Sequence, residues 1–182
     1  GEQLGPILWQ VPERLHFEPE RLASFFELLP RTTGAAAVLA AAHDDKVKEG
    51  RSLTEAEVDV PLRHALEPRH ESFDCDEARA LCAEHGVAIV IADSAGKWPV
   101  MRDATSDFRY VRLHGETELY ASGYTDESLD RWAHTCRVWL DDGHDVHVYF
   151  DNDARVHAPH DAVPLPAPPG IQRRPADPGG CS

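Results

Sequence analysis

Ionisable side chains stand at the ends of two strand-like segments. In FRYVRLHG, Arg112 and His114 follow strand-forming residues and come just before a glycine. In HALEPRH, Glu67 and Arg69 have the same spacing. Side chains two residues apart share a face of a strand, so each pair lies on one face. Arginine binds carboxylates and phosphates, whereas carboxylates and imidazoles transfer protons, so the two pairs indicate a site for a small polar or anionic substrate.

Two further strand-like segments end in acidic residues. In DVHVYFDND, Tyr149 and Asp151 share a face, and in VAIVIAD, Asp93 shares the face of Ile89 and Ile91. We expect the polar ends to line one concavity, because α/β proteins bind ligands at the carboxyl ends of their parallel strands. The predicted catalytic residues are Glu67, Asp93, His114 and Asp151, and the predicted substrate-binding residues are Gln10, Arg69, Arg112, Tyr149 and Asn152.

Three interpretations of this set remain open. The first is an enzyme, a hydrolase or an isomerase, in which the arginines hold a sugar or a phosphate ester, a carboxylate is the general acid or base and His114 carries a proton. The second is a non-catalytic module that binds an anionic ligand or another protein. In the third, Glu67 pairs with Arg69 or Arg112 and Asp151 pairs with His114, and the network only stabilises the fold.

A divalent metal fits the same residues less well. Glu67, Asp93, His114 and Asp151 offer the oxygen and nitrogen ligands that suit magnesium, manganese or zinc. Two neighbouring arginines would repel such an ion, so we assign no metal site and leave the cofactor open.

The composition restricts the partners. The chain of 182 residues has a formal net charge of −14, which argues against general binding to the phosphate backbone of nucleic acids. A run of about 18 apolar residues, as a membrane span needs, does not occur, and neither does a secretory signal pattern. The four cysteines show no zinc-like or CxxC spacing, so we expect reduced thiols and a cytoplasmic protein.

The elements that must position these residues alternate along the chain. Short apolar runs such as VAIVIAD are typical of buried parallel strands, and helix-like runs separate most of them. The clearest predicted helix begins after Thr125 and ends before Gly143. The pattern predicts a parallel sheet, either open and doubly wound or part of a (β/α)₈ barrel. No GxGxxG motif or P-loop follows any strand, which argues against the doubly wound alternative.

Six ordered motifs carry a family resemblance. LGPILWQVP, LEPRHESF, VAIVIADS, FRYVRLHG, YASGYTDESLDRWA and VYFDNDARVHAP resemble the YecE-like family, also called domain of unknown function 72. The resemblance implies a TIM-barrel-like fold whose biochemical activity is not established. It also implies an N-terminally truncated member that supplies strands four to eight of the family barrel, so that the α/β sheet stays open.

The same resemblance divides the chain. Residues 1–163 are expected to form the partial barrel, with a helical excursion at 32–63. Residues 164–182 are rich in proline and glycine and are expected to be a disordered tail.

Overall fold

The computed structural model describes residues 4–48 and 50–163. Five parallel strands form one sheet in the order of the chain. They are β1 (Ile7–Gln10), β2 (His64–Glu67), β3 (Val87–Asp93), β4 (Phe108–Leu113) and β5 (Asp145–Phe150). The helices are α1 (Pro19–Glu27), α2 (Thr33–Ala41), α3 (Asp76–Glu84), α4 (Asp126–Asp141) and α5 (His157–Asp161), with a 3₁₀ turn at Glu71–Phe73. The predicted α/β class and open partial barrel are therefore confirmed.

The sheet curls strongly. Arg63, just before β2, forms an ion pair with Asp145 at the start of β5, with 2.5 Å between Nη1 and Oδ2, although two strands lie between them. At Gly5, before β1, an added Cβ would lie 3.5 Å from the hydroxyl of Tyr149 on β5. The five strands thus form an open half-barrel with a narrow concave face, along which side chains from distant strands can meet.

The helices cover the convex face. Phe26 of α1, Leu66 of β2 and Cys82 of α3 belong to one apolar cluster, and Trp132 of α4 packs in a second cluster with Val111 of β4. The concave face has its own smaller apolar cluster, made of Ala65, Ala88, Val90, Phe108 and Tyr110, with Leu8 packed against it. Because apolar groups are buried on both sides of β3, the strand is an unbroken run of apolar residues up to Asp93.

Local sequence signals explain where the longest helix begins and ends. The hydroxyl of Thr125 accepts a hydrogen bond from the amide of Ser128, which satisfies one of the unpaired N–H groups of the first turn of α4. After the helix, Gly143 has a φ of +89°, a conformation that favours glycine. Both ends lie where the sequence predicts them.

The excursion at 32–63 is helical only in its first part. It contains α2, and an antiparallel bridge between Thr32 and Pro61 closes its base. Between α2 and β2, the described residues form turns and irregular chain without a further helix. The predicted tail at 164–182 lies outside the described residues, and none of the described helices is long and apolar enough to cross a membrane.

Two leucines provide a matched test of this core. Leu66 is fully buried, whereas Leu39 of α2 is 56% exposed. We expect Leu66→Ala to lower the free energy of unfolding by about 2–5 kcal/mol, because it leaves a cavity beneath α1 and α3. Leu39→Ala should change it by less than about 0.5 kcal/mol. Urea unfolding followed by circular dichroism measures both values, and equal effects of the two substitutions would contradict this assignment of the core.

Candidate functional site

Four polar side chains meet on the concave face at the carboxyl ends of the strands. Arg112 on β4 lies at the centre: its Nη1 is 2.5 Å from Oε2 of Glu67 on β2, and its Nη2 is 2.6 Å from Oδ2 of Asp151 after β5. Nη1 also donates to Oε1 of Gln10 on β1, at 3.0 Å. One guanidinium therefore connects β4 with both edges of the sheet. We call the region formed by Arg112, Glu67, Asp151 and Gln10 the mouth.

Glu67 is the most deeply buried member of the mouth. Its side chain is completely shielded from solvent, and it also accepts from Nε of Arg69 at 3.2 Å. Burial by itself would raise the pKa of Glu67, but the close contact with His114, the hydrogen bond from Arg112 and the charge of Arg112 lower the pKa to about 2. Glu67 is therefore an anion at any physiological pH.

A small residue makes the Glu67–Arg112 contact possible. The two residues stand on strands that flank β3, so their side chains must pass over the concave face of β3. The residue of β3 beside Arg112 in the register is Ala92, whose methyl group leaves that space open. Sequence reasoning missed Ala92; its signal was a second alanine, after Ala88, on one face of a strand whose other apolar residues are β-branched.

His114 lies beneath the mouth and has no access to solvent. Its Nδ1 is 3.0 Å from Oδ2 of Asp151, and its Nε2 is 3.3 Å from Oε1 of Glu67. Both are close contacts without the angles of a hydrogen bond, so the two ring nitrogens are otherwise unpartnered within the described chain. The rings of Trp98 and Tyr120 cover His114 edge-on, with centroids at 5.1 and 5.4 Å. His114 lies against both carboxylates but cannot touch a ligand in this arrangement.

Arg69 forms the wall of the mouth together with a tryptophan. Its guanidinium lies 3.7 Å from the ring centroid of Trp98, a cation–π contact, and Nη2 donates to Oε1 of Gln10 at 2.7 Å and to the hydroxyl of Tyr120 at 3.2 Å. Trp98 is held in turn by Glu13, which accepts from its indole N–H at 2.9 Å. Sequence reasoning missed Trp98, although an aromatic residue in the loop after a strand was a usable signal.

Tyr149 extends the site along β5. It stands beside Arg112 in the register and two residues before Asp151, on the same face. Its ring stacks on that of Tyr110 with centroids 4.9 Å apart, and 43% of the residue is exposed. Tyr149 is thus a solvent-exposed aromatic ring at the border of the ionic network.

Asp93 does not join the mouth. It pairs in register with Leu113, so it lies on the convex face, where the indole N–H of Trp132 donates to it at 3.3 Å. Burial raises its pKa above the ordinary value, an effect that this hydrogen bond opposes. Asp93 borders a separate cavity of about 450 Å³ beside α4. The expectation of one common face was wrong for Asp93, because β3 is apolar on both faces and parity within it cannot tell which face is concave.

Asn152 is also outside the mouth. It is fully buried, and its amide nitrogen donates to Asp161 at 2.8 Å and to the carbonyl of Ser122 at 3.0 Å. These bonds tie α5 to the loop that follows β4. Asn152 therefore holds the frame of the site and does not face a ligand.

No group of three or more metal-binding side chains with suitable geometry occurs in the described ranges. The cationic groups of Arg69 and Arg112 occupy the positions next to Glu67 and Asp151, where a metal would need to be. Beside the mouth, a cavity of about 530 Å³ is lined by residues that include Arg69, Trp98 and Lys97.

Comparison with known proteins gives the family. The sequence model described as "Protein of unknown function DUF72" matches residues 1–177. The chain belongs to the DUF72 family. The resemblance to the YecE-like family is thereby confirmed, because the name YecE-like is consistent with the DUF72 family.

Solved DUF72 structures share the fold. A DUF72 protein from Thermotoga maritima is 22% identical, with a TM-score of 0.64, over 90% of this chain and 57% of that chain. A DUF72 protein from Enterococcus faecalis is 14% identical, with a TM-score of 0.64, over 97% of this chain and 64% of that chain. The chain thus spans less than two thirds of the length of these relatives. No curated protein matches it.

The stability of this DUF72 protein should depend on Glu67 in acid. The folded-state pKa of about 2 lies below the ordinary value of 4.5, so the contribution of Glu67 is complete above about pH 4.5 and is lost as the pH falls toward 2. The complete loss corresponds to about 3 kcal/mol of unfolding free energy. Urea unfolding at a series of pH values in this window measures it.

Two glutamine substitutions separate the contribution of Glu67 to the pH dependence of stability from that of the other carboxylates. Glu67→Gln should show a flatter pH dependence than the wild type, and a neutral-pH stability lower by about 3–5 kcal/mol, because the charge of Arg112 loses a buried partner. Glu57→Gln, at an exposed position, should follow the wild type. An unchanged slope in Glu67→Gln would show that Glu67 has an ordinary pKa in the folded state.

Proposed function

We propose that the mouth binds a small polar or anionic molecule and that Asp151 transfers a proton to or from it. The observation that carries the proposal is the convergence of Glu67, Arg112 and Asp151 from three parallel strands at the carboxyl end of a half-barrel. In α/β barrels this end is where ligands bind. Burying charged groups is costly even when they are paired, so an ionic network at this place indicates a function besides stability.

The accessible carboxylate is Asp151. Its side chain is 32% exposed, whereas that of Glu67 has no exposure and contacts Arg69, Arg112 and His114. A general acid or base must reach the proton that it moves, and Asp151 meets this condition. Glu67 acts as a fixed anion that holds the cations in place.

His114 supports Asp151 from behind. Its Nδ1 lies 3.0 Å from Oδ2 of Asp151, so a small rotation of the ring would allow a proton to pass between the two groups. Arg112 contacts the same Oδ2 and orients the carboxylate. The proposed roles are therefore Asp151 as the acid or base, His114 as the proton relay, and Arg112 as the residue that orients the carboxylate and polarises the ligand.

The burial of Glu67 and the exposure of Asp151 favour proton transfer by one carboxylate over hydrolysis by two. Glycoside hydrolysis needs two carboxyl groups that both reach the substrate, and Glu67 is out of reach. A single base beside a guanidinium suits removal of a proton next to a carbonyl group, as in sugar isomerisation: Asp151 takes the C–H proton, and Arg112 stabilises the negative charge that develops on the carbonyl oxygen. The hydroxyl proton of the carbon that lost its C–H proton moves to the former carbonyl oxygen, and Asp151 returns the abstracted proton to the former carbonyl carbon, which completes the reaction.

A non-catalytic binding module is the second candidate. One observation favours it: the carboxylates of the mouth are already ion-pair partners of the arginines, as expected of a module in which they do not act as acids. The two candidates differ in turnover, because only an enzyme loses rate while it keeps its ligand.

The thiols support a cytoplasmic location, which we propose as well. Cys75, Cys82 and Cys136 are free cysteines. Burial raises the pKa of the Cys82 thiol to about 12 and that of the Cys136 thiol to about 11, so both stay protonated and unreactive. Free, unpaired cysteines are typical of a reducing compartment.

Deuterium exchange tests the proposed proton transfer. The purified protein is incubated in deuterium oxide with a panel of aldoses, ketoses and their phosphates, and proton NMR measures deuterium at the carbon next to the carbonyl group. We expect exchange with one group of compounds, and a rate lower by about 10²–10⁴ in Asp151→Asn. Isothermal titration of the same compounds should show a much smaller loss of affinity, since the hydrogen-bonding shape of the side chain is kept.

The control is Asp153→Asn, which changes an exposed carboxylate two residues further along the chain. It should exchange at the wild-type rate. Binding without exchange in the wild type would contradict the catalytic role and favour the binding module. Neither binding nor exchange with any compound would leave the network with a structural role only.

A further inference from the structure

The positive charge of the mouth is already neutralised. Arg112 contacts Glu67 and Asp151 at 2.5 and 2.6 Å, and Arg69 contacts Glu67 at 3.2 Å, so two guanidinium groups face two carboxylates. A phosphate group would have to displace one of these carboxylates, although displacement leaves a buried charge without its partner. The formal net charge of −14 adds to the repulsion of an anion. These charges disfavour a phosphate ester among the ligands that the mouth could take.

The solvent-exposed groups around the mouth have a different character. Tyr149 presents an aromatic ring that is 43% exposed, and its only ring contacts in the described chain are with Tyr110. Asp151, two residues further along the same face, makes its ion-pair contacts through Oδ2. Gln10, on the opposite edge strand, is exposed and uses Oε1 for both arginines. An apolar ring, a carboxylate oxygen and an amide nitrogen therefore line the opening.

We propose that the ligand of the mouth is an uncharged sugar, whose ring packs against Tyr149 and whose hydroxyl groups bond to Asp151 and Gln10. This inference rests on the proposed function and chooses between the two substrate classes that the sequence leaves open, sugars and phosphate esters. Sugars have faces of C–H groups that pack on aromatic rings, and their hydroxyls donate to carboxylates. Binding sites of this kind combine an apolar wall with a few placed polar groups.

The spacing of residues along a strand explains why Tyr149 and Asp151 can both contact one sugar ring. Residues two apart on a strand are separated by about 6.5–7 Å, which is close to the width of a pyranose ring with its hydroxyls. Tyr110 behind Tyr149 keeps its ring in one orientation, and the hydroxyl of Tyr149 sits next to the backbone at Gly5. The aromatic wall is thus already ordered before a ligand arrives, which lowers the entropic cost of binding.

The test compares each sugar with its phosphorylated form. Saturation-transfer NMR and isothermal titration are applied to the purified protein with neutral hexoses and pentoses, the phosphate ester of each sugar, and inorganic phosphate. We expect at least one neutral sugar to bind more tightly than its phosphate, with magnetisation transferred to its ring C–H protons. Inorganic phosphate should not compete with it.

Two substitutions of one residue isolate the aromatic contact. Tyr149→Ala should weaken the binding of the neutral sugar about fivefold or more, whereas Tyr149→Phe keeps the ring and should stay within about twofold of the wild type. Circular dichroism is used to check that both variants are folded. If Tyr149→Ala does not fold, loss of ring C–H saturation transfer in the milder Tyr149→Leu variant gives the same information.

The outcomes separate this inference from the proposed function. Tighter binding of the phosphate ester, with deuterium exchange that is lost in Asp151→Asn, would overturn the neutral-sugar inference and leave the proposed function standing. A neutral sugar whose affinity depends on Tyr149, but whose deuterium exchange is unchanged in Asp151→Asn, would support the aromatic wall and contradict the catalytic role of Asp151. Failure of every neutral sugar to bind, or equal binding by Tyr149→Ala, would overturn the inference.

Discussion

The ion pair between Arg112 and Glu67 is the constraint on which the site depends. A glutamate without any solvent exposure needs partners for both of its oxygens, since an unpaired buried carboxylate costs several kcal/mol. Glu67 obtains them from Arg112, Arg69 and His114, which come from the neighbouring loop and from a strand two positions away. The curl of the sheet and the small side chain of Ala92 between the partners allow this pairing, because they let the guanidinium reach across β3.

Around this pair, the mouth divides into a buried and an accessible part. Glu67 and His114 are fully enclosed, the latter beneath Trp98 and Tyr120, so they set charge and position without meeting a ligand. Asp151 and Tyr149 remain open to solvent on the edge strand. The proposed function therefore assigns proton transfer to one carboxylate next to an aromatic ring, which is a narrower assignment than a set of interchangeable acids.

The side of the sheet on which a polar residue lies could be predicted where a strand has one polar and one apolar face. In β4, Val111 and Leu113 alternate with Arg112, so the concave face was readable from the sequence, and the same is true of Asp151 on β5. In β3, both faces are apolar, and parity could not place Asp93. Asn152 follows the end of β5, where the strand alternation no longer applies, and its side chain turned inward to Ser122 and Asp161.

The sequence by itself determined the parallel α/β class, the family, the ends of α4 and the residues that stand at the carboxyl ends of the strands. These features are local: they depend on side-chain alternation, on capping residues and on ordered motifs. Only the tertiary structure decided which carboxylate is buried, that Ala92 opens the way between Arg112 and Glu67, and that Trp98 from a loop closes over His114. Those relations join residues far apart in the chain, and burial and pairing exist only after the sheet has curled and brought them within a few ångströms.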